Sequence, residues 1–179
     1  MILPNASDWP HIGGPVFQRA RLAVDRIDRA TLFLVISAMA VMTILVVGQV
    51  IFRYLFSSAI DWAEEVARLA FVWSMFLAIP HGIRKGVHVG IDALVHRFSE
   101  GLQDRLFRLS ALIGAVLMAV VFWYSWQVTV YTWPDKMPTL NMTAAVYYIA
   151  ILFAAIHSVL HLILLAWGGP SVWEEKVTS

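Results

Sequence analysis

The residues best placed to do chemistry lie in one octet, Asp61-Trp62-Ala63-Glu64-Glu65-Val66-Ala67-Arg68, and in a histidine pair, His157 and His161. Residues four apart on a helix are neighbours, so Asp61 faces Glu65, Glu64 faces Arg68, and His157 faces His161. Asp61 followed by Glu64 also has the form of a capping box, with both carboxylates favoured at the positive end of a helix dipole. Charges at the start of an apolar run allow three roles: interfacial ion pairs that fix a helix, a docking surface for a second protein, or ion translocation. Translocation is the weakest of these, because no carboxylate is expected deep in any span and, of the Asn and Gln residues, only Gln49 and Gln127 lie well inside the uncharged runs. Arg53, a few residues upstream, is available to a carboxylate of the octet that Arg68 leaves over.

The histidines offer a different chemistry. With His81 they supply nitrogens of the kind that hold a b-type haem, as in the membrane anchor of a redox complex. Spacing of four on one helix is common, however, and histidines hydrogen-bonded within a bundle explain the pair more simply. His88 and Asp92 are also four apart, but two donors do not make a metal site. The chain has no cysteine, which excludes disulfides, thiolate metal sites and cysteine nucleophiles. It shows no nucleotide-binding loop, no Ser-His-Asp set and no zinc pattern, so neither a catalytic residue nor a metal ligand is assigned and the chain is not read as an enzyme.

The elements that carry these residues belong in a bilayer. Hydrophobic residues make up 60% of the 179 positions and charged residues 14%, against about 25% charged in a soluble domain. Three runs free of Asp, Glu, Lys and Arg, at 30–52, 109–134 and 137–173, are each long enough to cross. A fourth, 69–83, has only 15 residues, and reaches the roughly 20 residues of a span only if its helix begins near Asp61. The expected fold is therefore an all-α membrane protein with four transmembrane helices, over about 28–54, 61–83, 106–133 and 143–167. The single membrane domain covers 30–167, between a tail and interfacial lead at 1–29 and a second tail at 168–179.

Between spans 2 and 3, Ile91, Leu94, Val95, Phe98, Leu102, Leu106 and Leu109 recur at helical spacing, which makes an amphipathic segment. Ser99 and Gly101 are candidate breaks within it. Span 3 should stop at Trp133-Pro134, span 4 should start after Asn141 or Thr143, and Gly168-Gly169-Pro170 should end it. Of the 13 Lys and Arg residues, ten flank one side of the spans and three the other, which places both termini and the amphipathic segment in the cytoplasm. The net charge of +1, without a dense basic patch, points away from nucleic acid.

Taken in order, several stretches resemble the small, Q-type (DctQ-like) membrane subunit of tripartite ATP-independent periplasmic (TRAP) transporters. They are Val50-Ile51-Phe52-Arg53-Tyr54-Leu55-Phe56, then Trp62 to Arg68 with Phe71-Val72-Trp73, then Arg84-Lys85-Gly86-Val87-His88-Val89-Gly90-Ile91-Asp92, and Pro138-Thr139-Leu140-Asn141-Met142 with Tyr148. Thr143 stands where many members carry proline. The resemblance implies an inner-membrane subunit of a sodium-coupled secondary transporter for organic anions such as carboxylates or acid sugars. Its partners would be a large membrane subunit, which holds the substrate and sodium sites, and a periplasmic solute-binding protein; this chain itself would hold no cofactor. On that basis Arg53, Trp62, Glu64, Glu65, Arg68 and Trp73 are expected to brace the outer hairpin or meet the partner. Arg84, Gly86, His88 and Asp92 would fix the inner turn, and Pro138 and Leu140 the lead into span 4.

Overall fold

The computed structural model describes residues 14–58, 60–84 and 100–169. These form four helices: α1 (Pro15–Phe56), α2 (Asp61–Arg84), α3 (Glu100–Tyr131) and α4 (Val146–Gly168). All four are long and apolar enough to cross a membrane. In hydrocarbon every backbone N–H and C=O must be satisfied inside the segment, and an uninterrupted helix does this.

The helices run up and down. Near one end of the α1–α2 hairpin, Gln49 Nε2 donates to the Ile60 carbonyl at 3.3 Å; near the other, Arg84 reaches Asp28. Asp28 and Gln49 are about 31 Å apart along α1 at 1.5 Å per residue, close to the roughly 30 Å hydrocarbon thickness. The second hairpin pairs α3 with α4, where Gly114 lets the helices approach so closely that a Cβ there would stand 3.3 Å from Leu162. Trp73 of α2 meets Phe153 of α4 at a centroid separation of 6.1 Å, and His81 meets His157, so α2 and α4 run in the same direction. Helix α4 touches all three others and carries much of the core, including Ala150, Ala154, Ala155, Leu162 and Leu165. The apolar stretches of α1 and α3 are largely exposed to whatever surrounds the chain.

Both ends of α4 are held by specific groups. At its start, Thr143 Oγ1 accepts the Ala145 N–H at 3.1 Å and donates to the Trp133 carbonyl at 2.8 Å. At its end, Arg108 Nη1 donates to the Ala166 and Trp167 carbonyls at 3.1 and 2.9 Å while its Nε pairs with Asp104. Those carbonyls lack helical partners and carry the negative end of the dipole, so a guanidinium suits them. Gly169 then leaves the helix with φ +77°, a conformation side chains resist.

Helix α1 departs most from the sequence expectation. It starts at Pro15 rather than near Asp28, with proline in the first turn where its missing N–H costs nothing. The expected interfacial lead is thus the first third of one 42-residue helix. Helix α3 likewise starts ahead of the expected boundary, at Glu100, and includes Gly101. It ends at Tyr131, and a tight turn takes the chain to Pro134. Helix α2 has Asp61 as its first residue, so Asp61 does not occupy the capping position before the helix. The amphipathic segment falls within the described residues only from position 100 onward.

Candidate functional site

Two polar sites lie at opposite ends of the bundle. The first is built on α1, whose buried residues Phe17, Arg21, Val24 and Asp28 step by 4, 3 and 4 along one face. That stripe turns Asp28 into the bundle, where it is 5% exposed. Asp28 Oδ1 lies 2.8 Å from Nε2 of His157 and 2.8 Å from Nε2 of His161, both on α4. Asp28 Oδ2 takes Nη1 of Arg84 at 2.5 Å, and Arg84 Nη2 reaches Asp25 at 3.0 Å. His81 of α2 completes the group, with Nδ1 3.8 Å from Asp28 Oδ1. Arg21 is buried beside Asp25 and Arg84. Two carboxylates and two guanidiniums balance with the imidazoles neutral, which is the inexpensive state for a buried cluster.

The second site joins α2 to the α3–α4 connection. Glu65 is 7% exposed, and its Oε2 accepts the Thr139 N–H at 3.1 Å, the Thr139 hydroxyl at 2.5 Å and the Leu140 N–H at 2.9 Å. The connection folds back on itself: Met137 N–H donates to the Met142 carbonyl at 2.9 Å and Ala144 N–H to the Asp135 carbonyl at 2.8 Å. Glu65 therefore satisfies the two backbone donors at the tip of that fold. A carboxylate accepting two N–H groups and a hydroxyl makes strong, charge-assisted bonds.

The residues singled out in the sequence divide between these sites and the surface. Glu64 and Arg68 pair at 2.7 Å, with side chains 71% and 59% exposed. Arg53 is exposed and pairs with no carboxylate among the described residues; Glu65 takes its donors from Thr139 and Leu140 instead. Trp62 is half exposed, while Trp73 turns inward and donates Nε1–H to the Val146 carbonyl at 3.2 Å. Pro138 is exposed and Leu140 half-buried next to the Glu65 contact. Arg84 joins the Asp28 cluster. Gly86, His88 and Asp92 lie outside the described residues.

Asp28 lies at the end of its span, and what the sequence expectation does not announce is its burial between the helices. It was read as the first residue of span 1, a position where charge is cheap; the helix begins 13 residues earlier. The signal was present as Phe17-Arg21-Val24-Asp28, a face on which charged and apolar residues share one periodicity. The geometry also gives no support to haem: both α4 imidazoles place Nε2 2.8 Å from Asp28 Oδ1.

Residues 42–169, more than half of the chain, match the family described as tripartite ATP-independent periplasmic transporters, DctQ component. The chain is 29% identical over 140 residues to the C4-dicarboxylate TRAP transporter small permease protein DctQ of Vibrio cholerae, covering 74% of this chain and 59% of that protein. It is 32% identical over 104 residues to a putative TRAP transporter small permease protein of Haemophilus influenzae, covering 56% and 65%. It is 26% identical over 127 residues to the isethionate TRAP transporter permease protein DctMQ of Oleidesulfovibrio alaskensis, covering 66% of this chain but 20% of that one. Matched across three of the four described helices and the end of the other, the chain is a transporter membrane component and not an enzyme. The chain belongs to the DctQ-component family of tripartite ATP-independent periplasmic transporters.

Proposed function

We propose that this chain is the small permease subunit of a sodium-coupled TRAP transporter in the inner membrane, with C4-dicarboxylates or related organic anions as the transported class. Substrate and sodium sites belong to the large subunit, and no transport ion is assigned to this chain. The substrate class follows the names of its relatives, which include C4-dicarboxylate and isethionate proteins. The match to one fifth of the DctMQ permease supports a large partner, since a segment like this chain occurs there joined to a much longer one.

The observation that carries the structural side is the Glu65 clasp. It ties the α3–α4 connection to α2 beside exposed Trp62 and the exposed Glu64–Arg68 pair. A fixed, mixed aromatic and charged surface is what a docking partner requires without an ordering cost on binding. We place this end on the periplasmic side from the Lys and Arg distribution, with both termini cytoplasmic and the surface available to the large subunit and the solute-binding protein.

The test is to purify the chain, tagged without histidine, from native membranes in mild detergent and to measure uptake in cells carrying Trp62→Ala or Arg68→Gln. A large multi-span protein should copurify with wild type, and the variants should lower uptake of the organic anion while this chain stays in the membrane. Uptake and copurification unchanged in both variants would rule out this surface as the docking site.

A further inference from the structure

Three imidazoles and one carboxylate converge at the Asp28 end of the bundle, and hydrogen bonding does not account for all of them. Asp28 Oδ1 faces His157, His161 and His81 at 2.8, 2.8 and 3.8 Å. An oxygen with Oδ2 committed to Arg84 has room for about two well-directed donors. His161 makes such a bond. His157 Nε2 is as close, yet neither of its nitrogens makes a hydrogen bond of good geometry. Both nitrogens of His81 are also buried and without one. Buried polar atoms are nearly always partnered, and here several on separate helices surround the same small volume.

We propose that Asp28, His157 and His161, with His81 as the fourth donor, bind one first-row transition-metal dication, Zn²⁺ being the reference case. The donor atoms of Asp28, His157 and His161 already lie within 4.8 Å of one another. Metal–ligand bonds of about 2.0–2.2 Å in a tetrahedron set the donors about 3.3 Å apart. The two 2.8 Å separations would open by about half an ångström and the 3.8 Å one would close by as much. His81 is not among the three residues whose donor atoms all lie within 4.8 Å of one another, so its ring has further to move than those of His157 and His161.

The donor chemistry selects the ion. Three neutral imidazoles with a single carboxylate suit Zn²⁺ and its first-row neighbours, whereas Ca²⁺ and Mg²⁺ require mostly oxygen ligands. Arg84 on Oδ2 is the outer partner that leaves Oδ1 directed at the ion. Four protein ligands close the coordination sphere, which marks a structural site rather than a catalytic one. The ion would cross-link α1, α2 and α4 at the end opposite the Glu65 clasp. In the sequence alone His81, His157 and His161 stand as a set of imidazoles; the carboxylate that joins them, Asp28, comes from α1, far away in the chain.

The experiment uses the full chain with whatever subunit copurifies, free of histidine tags, stripped with chelator and then titrated with Co²⁺ and Zn²⁺. The expected result is about one Zn²⁺ retained per chain after dialysis, a rise in thermal midpoint, and the intense visible bands of tetrahedral Co²⁺. His81→Phe keeps the ring volume and touches the least buried donor. Losing a direct ligand should cost at least the roughly 10- to 100-fold in affinity typical of outer partners. His157→Ala with His161→Ala should abolish retention. Wild type that retains no ion, Co²⁺ spectra of octahedral type, or binding that survives the double substitution would each overturn the proposal, and the wild-type measurements decide it even if the double variant fails to fold.

Discussion

Glu65 of α2 and Thr139 of the α3–α4 connection, 74 positions apart in the chain, are joined by two hydrogen bonds to a single carboxylate oxygen. A third comes from the neighbouring Leu140 N–H. The two hairpins, α1–α2 and α3–α4, are thereby locked at this end by one side chain.

Thr139→Val removes the hydroxyl donor alone and should lower stability by about 1 kcal/mol. Glu65→Ala removes the acceptor of all three donors and should cost more. In the Glu65→Ala background, Thr139→Val should then be close to neutral, because its partner is already gone. Thermal unfolding of the four proteins of this cycle in detergent gives the coupling; additive effects would show that the bond contributes nothing measurable.

Arg68→Gln and Glu64→Ala break an ion pair whose two side chains are mostly in solvent. Each should change stability by no more than about 0.5 kcal/mol. Any loss of complex assembly or uptake in these variants therefore reports on the surface and not on folding. A clearly lowered thermal midpoint for either would mean that the pair is structural after all.

Much of this architecture is legible in the sequence, because a spanning segment must be apolar over a set length. The 24 residues of α2 were predictable from the shortness of the uncharged run after Arg68. The start of α1 was not. Ile27, Val24 and Phe17 interleave with arginines, and the same pattern describes a solvated flank or a helix face; only the packing of Phe17 against Trp167, at a centroid separation of 5.5 Å, distinguishes them. His157 and His161 were visible as a pair, but their carboxylate partner lies more than a hundred residues away, and no local periodicity encodes that distance. The sequence makes Glu65 a bracing residue and offers Arg53 to whichever carboxylate Arg68 leaves over. No local pattern marks the Thr139 and Leu140 N–H groups of the second hairpin that meet Glu65.

Gly169 leaves α4 at φ +77°, and a Cβ there would stand 3.0 Å from Asp104 Oδ1 and 3.1 Å from Arg108 Nη2. Gly169→Ala thus carries a backbone cost of about 1–3 kcal/mol and also presses on the guanidinium that caps the helix. Arg108→Met should share part of the loss, since the Ala166 and Trp167 carbonyls lose their donor. The two variants should be less than additive in thermal unfolding; full additivity would separate the glycine from the cap.

Asp28→Asn should be the most damaging single polar substitution at the other end. It removes one carboxylate from Arg84, which keeps its ion pair with Asp25, and presents a neutral amide to two buried imidazoles. Removing one partner of a buried pair costs about 3–5 kcal/mol, because the remaining charge stays desolvated. Replacing Asp28 by Leu together with Arg84 by Met removes both charges and should recover part of the loss, even though Asp25 and Arg21 remain. Unfolding in detergent compares the single and double variants directly. If the double variant is no more stable than Asp28→Asn, the penalty lies in the lost packing of α1 against α2 and α4, and the charge account of this cluster is wrong.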